Sequence, residues 1–232
     1  MIKSIKITMA AAALSAIMIS PAAAIGVNHV TNGGFEDNVG LGGSGWDVFT
    51  NIPGWSRTTG RGIEVQSGDI GGSTAYEGNQ KIELDSHNLS GTGGASNNSN
   101  SGMTQSLVLG PGLYEFSFAY LGRTEDIGTN GIGYSLVNMT DDPDSDILNT
   151  DVTGVRSDEW QVFSFRFNLD TLTNIAVNFW AKGTEDTYGG YLDDVRISAV
   201  PLPAALPLYG AGLAAMGFMG WRRKRKAAAA AA

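Results

Sequence analysis

Tyr114-Glu115-Phe116-Ser117-Phe118-Ala119-Tyr120 is the stretch that decides the fold. An aromatic residue stands at every second position, and successive side chains of a β-strand point to opposite faces, so one face of this strand is apolar. Two later stretches, 160–169 and 175–180, alternate in the same way, and each has one apolar face. The apolar residues are Phe163, Phe165, Phe167 and Leu169 in the first stretch and Ile175, Val177 and Phe179 in the second. The pattern predicts three long strands with a shared apolar core.

Shorter alternating runs extend this pattern to the rest of the chain. They occur at 62–66, 81–85, 103–109, 132–137 and 191–197, and turns rich in Gly, Pro and Asn separate them. No helical stripe of apolar residues occurs between Ile25 and Ala199. Roughly eight to ten strands bounded by turns are typical of an all-β, two-sheet sandwich. We therefore predict one such domain over residues 25–199.

The N-terminal segment, residues 1–24, has the three parts of a secretory signal peptide. Lys3 and Lys6 give a positive start, Ile7 to Ile19 is apolar, and Pro21-Ala22-Ala23-Ala24 offers small residues for cleavage. The alternative is a structural N-terminal helix. The signal-peptide interpretation predicts export of the domain after cleavage behind Ala24.

The C-terminal segment, residues 200–226, combines a Pro-containing motif, an uncharged stretch and a basic cluster. Ala204 to Trp221 carries no charge and is long enough for a transmembrane helix of about 27 Å. Arg222 to Lys226 is a run of five cations, which by the positive-inside rule stays in the cytoplasm. The alternative is a buried core helix with a solvated basic end. We predict membrane anchoring through this C-terminal helix.

The same segment resembles a known class of sorting signals. Val200-Pro201-Leu202-Pro203-Ala204, followed by the apolar stretch and the Arg/Lys cluster, is similar to the VPLPA variant of the PEP-CTERM tails. The resemblance implies recognition by an exosortase of Gram-negative bacteria. It further implies inner-membrane anchoring before processing, and then a place at the cell surface or in the extracellular matrix. The alanine run 227–232 is not part of this pattern and stays unassigned.

Composition excludes several classes of function. All 23 acidic residues lie in 25–199, but only eight of the 15 basic residues do, which leaves a formal charge of about −15. Such a domain repels nucleic acid phosphates and anionic lipid. The chain has no cysteine, which excludes disulfides, zinc–thiolate sites and cysteine nucleophiles. Hydrated cations and neutral ligands such as sugars suit this surface.

A second resemblance covers most of residues 31–197. It rests on four motifs in a fixed order: Asn32-Gly33-Gly34-Phe35-Glu36, Pro53-Gly54-Trp55, Gly78-Asn79-Gln80-Lys81-Ile82-Glu83-Leu84 and Tyr191-Leu192-Asp193-Asp194-Val195-Arg196-Ile197. This order resembles the galactose-binding-like jelly rolls, which include many carbohydrate-binding modules. The resemblance implies a jelly-roll sandwich whose first and last strands lie together.

The same family implies a structural calcium ion near those two strands. Carried over to this chain, the candidate ligands are Glu36 and either Asp193 or Asp194. Ca²⁺ takes six to eight oxygen ligands, so an ion at this place would join the two ends of the domain. The alternative is that these are solvated acids at strand ends that form hydrogen bonds within turns.

A sugar site needs an aromatic surface for the C–H face of the sugar and polar groups for its hydroxyls. If the phenylalanines of 160–169 face the core, Trp160 and Arg166 face outward; by the same alternation, Asn178 and Trp180 do so as well. Two outward tryptophans on adjacent strands would indicate a ligand, unless loops cover them. Arg123, at a strand end, is a further candidate for sugar contact.

Motifs for catalysis are absent from the sequence. The two histidines, His29 and His87, do not have metalloprotease spacing, and no GxSxG elbow occurs. We therefore predict no enzymatic activity. The leading hypothesis is an exported protein whose sandwich binds extracellular polysaccharide. The alternative is a structural or adhesive matrix protein without a sugar site.

Overall fold

The structure is a computed structural model that describes residues 26–37, 40–88, 98–140, 145–201, 212–214, 216–218 and 221. Gly26–Val200 form one compact unit, and a second unit comprises Met1–Ile25 and Pro201–Ala232. In the second unit, 212–214, 216–218 and 221 are helical. None of the described helical residues forms a helix long and apolar enough to cross a membrane. The predicted signal peptide, most of the membrane segment and the basic cluster lie outside the described residues and stay predictions.

The described part of the first unit forms two antiparallel sheets of six strands each. Sheet A has the order β1-β4-β5-β12-β7-β10, and sheet B has the order β2-β3-β6-β11-β8-β9. The strands are β1 Trp46–Phe49, β2 Asn51–Ile52, β3 Trp55–Thr59, β4 Ile63–Ser67, β5 Gln80–Glu83, β6 Gly102–Leu109, β7 Gly112–Leu121, β8 Gly131–Asn138, β9 Asp146–Val152, β10 Gln161–Leu169, β11 Thr173–Lys182 and β12 Tyr191–Ala199. The all-β, two-sheet sandwich predicted from the alternating runs is confirmed.

Aromatic residues fill the space between the two sheets. Phe118 of β7 packs against Phe179 of β11 with ring centroids 5.2 Å apart, and against Tyr134 of β8 at 4.7 Å. Phe116, Phe118 and Phe179 are each at most 1% exposed. The alternation in 114–120 therefore has the predicted cause, because its aromatic face is the centre of the core.

One expectation about neighbouring strands is wrong. β10 pairs with β7 in sheet A, whereas β11 pairs with β6 and β8 in sheet B. The two strands are consecutive in sequence, but the chain crosses from one sheet to the other between them. Trp160, just before β10, and Trp180, on β11, therefore belong to different sheets and do not form one surface.

The jelly-roll resemblance implies that the first and last strands lie together. In the structure β4 and β5 separate β1 from β12, and it is the N-terminal turn that packs on β12. Residues 27–30 have no regular structure. The Asn28 side chain accepts the Ile197 N–H at 3.0 Å and donates to the Val195 carbonyl at 3.1 Å. Gly33 lies so close that a Cβ there would overlap the carbonyl oxygen of Val195. β12 bulges at this point, with Asp194 at a φ of 48°.

Candidate functional site

Two of the predicted sugar contacts lie on the outer face of sheet B. Trp180 is half-buried, and its indole lies over Gly133 of the neighbouring strand, where a Cβ would collide with the ring. Two residues before it, the Asn178 side-chain amide donates to the Ser135 hydroxyl at 3.0 Å. Trp180 is thus packed flat against its own sheet, and one of its faces is covered by protein.

Trp160 lies on the other side of the sandwich, at a loop that covers sheet A. This covering loop, residues 68–77, connects β4 to the approach to β5. The indole N–H of Trp160 donates to the carbonyl oxygen of Thr74 at 3.2 Å. The rings of Trp160 and Tyr76 meet edge to face, with centroids 6.0 Å apart and planes at 61°. Tyr76 is 45% exposed, so the two residues form an aromatic platform in contact with solvent.

An arginine adjoins the same loop. The guanidinium of Arg156 approaches Gly72, where its Nη2 would lie 3.1 Å from an added Cβ. Arg156 is exposed, and its own backbone N–H donates to the carbonyl of Thr124 at 2.6 Å, which anchors the segment that carries it. The covering loop thus has a cationic donor near Gly72 and the ring pair at Thr74 and Tyr76.

The two predicted arginines have different surroundings. Arg166 faces outward on β10, as the alternation predicts, and its Nε donates to Glu115 of β7 at 2.7 Å. Arg123, expected at the surface, is instead almost buried, with a side chain 12% exposed that forms an ion pair with the fully buried Glu83. Its guanidinium also lies 4.7 Å from the ring centroid of Tyr188. Arg123 thus belongs to the interior of the covered face.

Beneath the covering loop, the outer face of sheet A carries a row of buried polar side chains. The row consists of Glu64, Gln66, Lys81, Glu83, Tyr191 and Asp193, each at most 1% exposed. The register sets Glu64 opposite Glu83, and Glu83 opposite Tyr191. In the alternating runs 62–66 and 81–85, Glu64, Gln66, Lys81 and Glu83 lie opposite the apolar residues, on a face that is usually solvated. The covering loop and the segments that carry His87 and Tyr188 contact this row and shield it from water.

Hydrogen bonds and one ion pair compensate the buried carboxylates of Glu64 and Glu83. The Gln66 side-chain amide donates to Glu64 at 2.8 Å and to Glu83 at 2.6 Å. Glu83 also accepts the N–H of Gly189 at 2.6 Å, in addition to its ion pair with Arg123. Burial, aided by the charge of Glu64, raises the pKa of Glu83 well above its ordinary value, while Arg123 opposes the shift. Burial alone would lower the pKa of Arg123, but the charge of Glu83 raises it instead.

Lys81 attaches the covering loop to this row. Its Nζ donates to the carbonyl of Ile70 at 2.9 Å and lies 4.9 Å from the ring centroid of Tyr191. Burial lowers the pKa of Lys81 to about 8. The Tyr191 hydroxyl is buried against Gly71 and has no hydrogen-bond partner within the described part of the chain.

The paired carboxylates of Glu64 and Glu83 do not form a catalytic cleft. Both side chains are buried, and internal donors occupy them: the backbone N–H and ring Nδ1 of His87 contact Glu64 at 2.8 and 3.0 Å. A glycosidase needs an acid and a nucleophile or base that both reach the glycosidic bond. The arrangement instead stabilises the covered face and the loops above it.

An apolar cavity between the sheets does not suit a sugar either. It encloses about 100 Å³ and is lined by Phe116, Phe118, Tyr134, Leu148, Phe163, Ser164 and Phe165. Ligand sites are usually several times larger and contain convergent polar groups. Phe163 and Phe165, predicted to face the core, line this cavity and pack against the core.

The predicted calcium ligands surround the end of the covering loop. Glu36 accepts the N–H groups of Asn79 and Gln80 at 2.6 and 2.7 Å. Asp193 accepts those of Tyr76 and Glu77 at 2.7 and 3.0 Å. The two acids therefore attach one segment of chain to the N-terminal turn and to β12.

Backbone N–H groups and an arginine already contact several carboxylate oxygens at that place. The second oxygen of Asp193 accepts the N–H of Asp194 at 2.6 Å, and Asp194 pairs with Arg196 at 2.5 Å. Burial raises the pKa of Asp193 to about 7, opposed by its backbone hydrogen bonds. Among the described residues, no group of three or more His, Asp or Glu side chains could hold a metal ion. Glu36 and Asp193 accept backbone N–H groups and Asp194 pairs with Arg196, and calcium at Glu36, Asp193 and Asp194 stays a prediction.

Comparisons with known proteins concern the fold alone. No family model and no curated protein matches the chain. A family 61 carbohydrate-binding module in complex with β-1,4-galactotriose is similar in structure. The two sequences are 17% identical, the TM-score is 0.48, and the match covers 75% of this chain and 99% of that module. A family 22 xylan-binding domain has 17% identity and a TM-score of 0.43, and the match covers 78% of this chain and 99% of that domain.

An enzyme domain is also among the similar structures. The match to the enzymatically active domain of bacteriophage CBA120 tailspike protein 4 has 12% identity and a TM-score of 0.44, and it covers 75% of this chain but only 21% of that one. At TM-scores below 0.5, none of these likenesses decides what this chain binds or whether it catalyses a reaction.

Proposed function

We propose that the sandwich binds carbohydrate without catalysing a reaction, through the aromatic platform of Tyr76 and Trp160. The observation that carries this proposal is the edge-to-face pair of the exposed Tyr76 and the half-buried Trp160, at the loop that covers the buried polar row. Aromatic rings supply the apolar surface on which the C–H face of a sugar packs. Arg156, which approaches Gly72 of the same loop, supplies hydrogen-bond donors for the hydroxyls of the sugar.

Hydrogen bonds hold both residues of the platform in place. Trp160 is fixed by its N–H bond to Thr74, and the backbone N–H of Tyr76 is held by Asp193. Lys81 holds the other end of the covering loop through the Ile70 carbonyl. Preorganised surfaces of this kind lose less conformational entropy when a ligand binds.

Trp160→Ala should weaken polysaccharide binding about tenfold or more, because it removes one of two rings and the N–H that holds the loop; a tenfold change corresponds to about 1.4 kcal/mol. The measurement is affinity electrophoresis or a glycan array with the full-length chain, using neutral and acidic polysaccharides. Tyr76→Phe should retain binding, because the ring remains, whereas Tyr76→Ala should weaken it.

Trp180→Ala is the matched control, because it removes a half-buried tryptophan from the opposite sheet. We expect its binding to equal that of the unchanged protein. Loss of binding in Trp180→Ala, with none in Trp160→Ala, would move the site to sheet B, where Asn178 is adjacent. If no glycan binds the unchanged protein, the structural or adhesive function is favoured instead.

We propose in addition that the chain is exported and delivered by an exosortase-type sorting tail. The support is the sequence of both ends: the 1–24 signal pattern and the 200–226 motif, apolar stretch and basic cluster. Fractionation of the producing cells with N-terminal sequencing should give a product that begins near Ile25, outside the cytoplasm. Recovery of a soluble cytosolic product that still begins at Met1 would exclude this proposal.

A further inference from the structure

A second cluster of polar side chains lies where the chain leaves β5. Asp85 pairs with Asn100 in an isolated antiparallel bridge. On one side of this bridge the Ser86 N–H donates to the Ser99 carbonyl at 2.9 Å, and on the other the Ser101 N–H donates to the Leu84 carbonyl at 2.7 Å. Asp85 and Asn100 themselves are therefore a non-hydrogen-bonded pair. In such a pair the Cα atoms are about 4.5 Å apart and the two side chains share one face. The side chains of Asp85 and Asn100 are therefore close neighbours.

Both side chains present buried oxygens without a partner. Asp85 is fully buried, and its Oδ2 accepts the N–H groups of Asp186 and Tyr188 at 3.0 and 3.1 Å. The Asn100 side-chain amide donates to the Gly183 carbonyl at 2.9 Å, which fixes its orientation. Within the described ranges, Asp85 Oδ1 and Asn100 Oδ1 have no hydrogen-bond partner. Buried acceptors left in this state cost about 1–3 kcal/mol each.

Two more oxygen-bearing side chains adjoin Asp85. Ser99 is fully buried, and its hydroxyl lies against the Asp85 carboxyl, whose pKa it lowers. Among the described residues, the Ser99 Oγ has no partner in hydrogen-bond geometry. The Asp186 carboxyl also lies against Asp85, and it accepts the hydroxyl of Thr129 at 2.7 Å. Burial raises the pKa of Asp85, and the contact with Asp186 raises it further. Like charges so close need a compensating positive charge or a shared proton.

We propose that Asp85, Asp186, Asn100 and Ser99 form a binding site for a hard divalent cation, with Ca²⁺ the best fit. The donor set contains only oxygen and carries two negative charges, which matches the preference of Ca²⁺ for carboxylate, amide and hydroxyl oxygens. Water and backbone carbonyls complete the six to eight ligands that the ion requires. Asp186 is only half-buried, so the ion has a route from solvent.

This site is distinct from the acids at the N-terminal turn and does not depend on the proposed sugar binding. It would connect the β5 end to the β11–β12 loop that carries Tyr188, which already donates its backbone N–H to Asp85. The competing explanation is that Asp85 holds a proton and donates it to a neighbouring oxygen. The two explanations differ in their response to calcium.

The test uses the full-length chain after treatment with a chelator and dialysis. Saturating CaCl₂ should raise its Tm by about 5 °C, because a ligand that binds only the folded state stabilises that state. Tb³⁺ as a calcium substitute should show luminescence sensitised by the nearby Tyr188. Asp186→Asn, at a half-buried position and with an amide oxygen that can still accept the Thr129 hydroxyl, should fold and should abolish both responses. Asp85→Asn should do the same if the variant folds.

Two control variants make each outcome decisive. Glu36→Gln removes an acid of the other predicted calcium site, and Asp151→Asn removes a surface acid paired with Lys182; both should keep the full response. If Glu36→Gln alone loses the response, the ion binds at the N-terminal turn and the proposal is wrong. It is equally wrong if Asp186→Asn responds as the unchanged protein does, or if calcium shifts no Tm at all.

Discussion

Arg123→Ala is expected to lower the free energy of unfolding by about 3–5 kcal/mol, because it leaves Glu83 buried without its ion-pair partner. Glu83 is fully buried, and Arg123 bonds both of its carboxylate oxygens. The variant also removes the cation that packs on the rings of Tyr188 and Tyr191, 4.7 and 5.6 Å away. Urea-induced unfolding followed by tryptophan fluorescence measures the change.

Arg166→Ala is the control for this prediction. Arg166 also pairs with a glutamate on a neighbouring strand of sheet A, but its side chain is 65% exposed and that of Glu115 is 35% exposed. Exposed pairs contribute about 0–1 kcal/mol, so this variant should unfold close to the unchanged protein. Equal effects of the two substitutions would show that burial of the Arg123–Glu83 pair has no energetic consequence. The double variant Arg123→Met with Glu83→Leu should recover much of the loss, because an apolar pair leaves no buried charge.

Gly33→Ala is the second large effect, with an expected loss of roughly 3 kcal/mol from overpacking. A Cβ at Gly33 would overlap the backbone carbonyl of Val195, which cannot turn aside as a flexible side chain would. The N–H of Val195 also donates to the Gly33 carbonyl at 2.9 Å, so the clash would break the contact between the N-terminal turn and β12. Thermal unfolding gives the change in Tm.

Gly40→Ala is the matched control, since nothing lies within 4 Å of an added Cβ there. It should leave the Tm unchanged or raise it slightly, because alanine restricts the unfolded chain. A Gly33→Ala variant as stable as Gly40→Ala would mean that the turn can move away from β12 at little cost. The close packing of the two motifs would then not contribute to stability.

The alternating runs were sufficient to predict the strands of the core. In 114–120, 160–169 and 175–180 the apolar residues recur with period two, and this local pattern requires one buried face whatever the partner strand is. β9, Asp146–Val152, was missed because it is an edge strand with few buried side chains and no such pattern. The motifs at 32–36 and 191–197, which resemble those of the jelly rolls, led us to expect the N-terminal turn close to the last strand. Their contact at Gly33 supplies the physical reason.

The composition of the candidate site depended on contacts between distant residues. Tyr76 was not predicted, because nothing in its local sequence shows that its ring meets Trp160, which is far along the chain. Arg123 stands at a strand end, where most arginines are solvated, and its burial comes from Glu83 and the Tyr188 loop. The alternation in 62–66 and 81–85 correctly indicates that the polar side chains of these strands point away from the core. It does not indicate whether a loop covers that outer face.

By itself, then, the sequence determined an acidic, cysteine-free, all-β sandwich and which side of each core strand is apolar, because the direction of a strand side chain depends on local backbone geometry. Only the tertiary structure decided which strands became neighbours. It separated Trp160 from Trp180 by placing β10 and β11 in different sheets, and it brought Tyr76 to Trp160. Sheet pairing and loop cover result from the packing of the whole domain, and no short stretch of sequence contains that information.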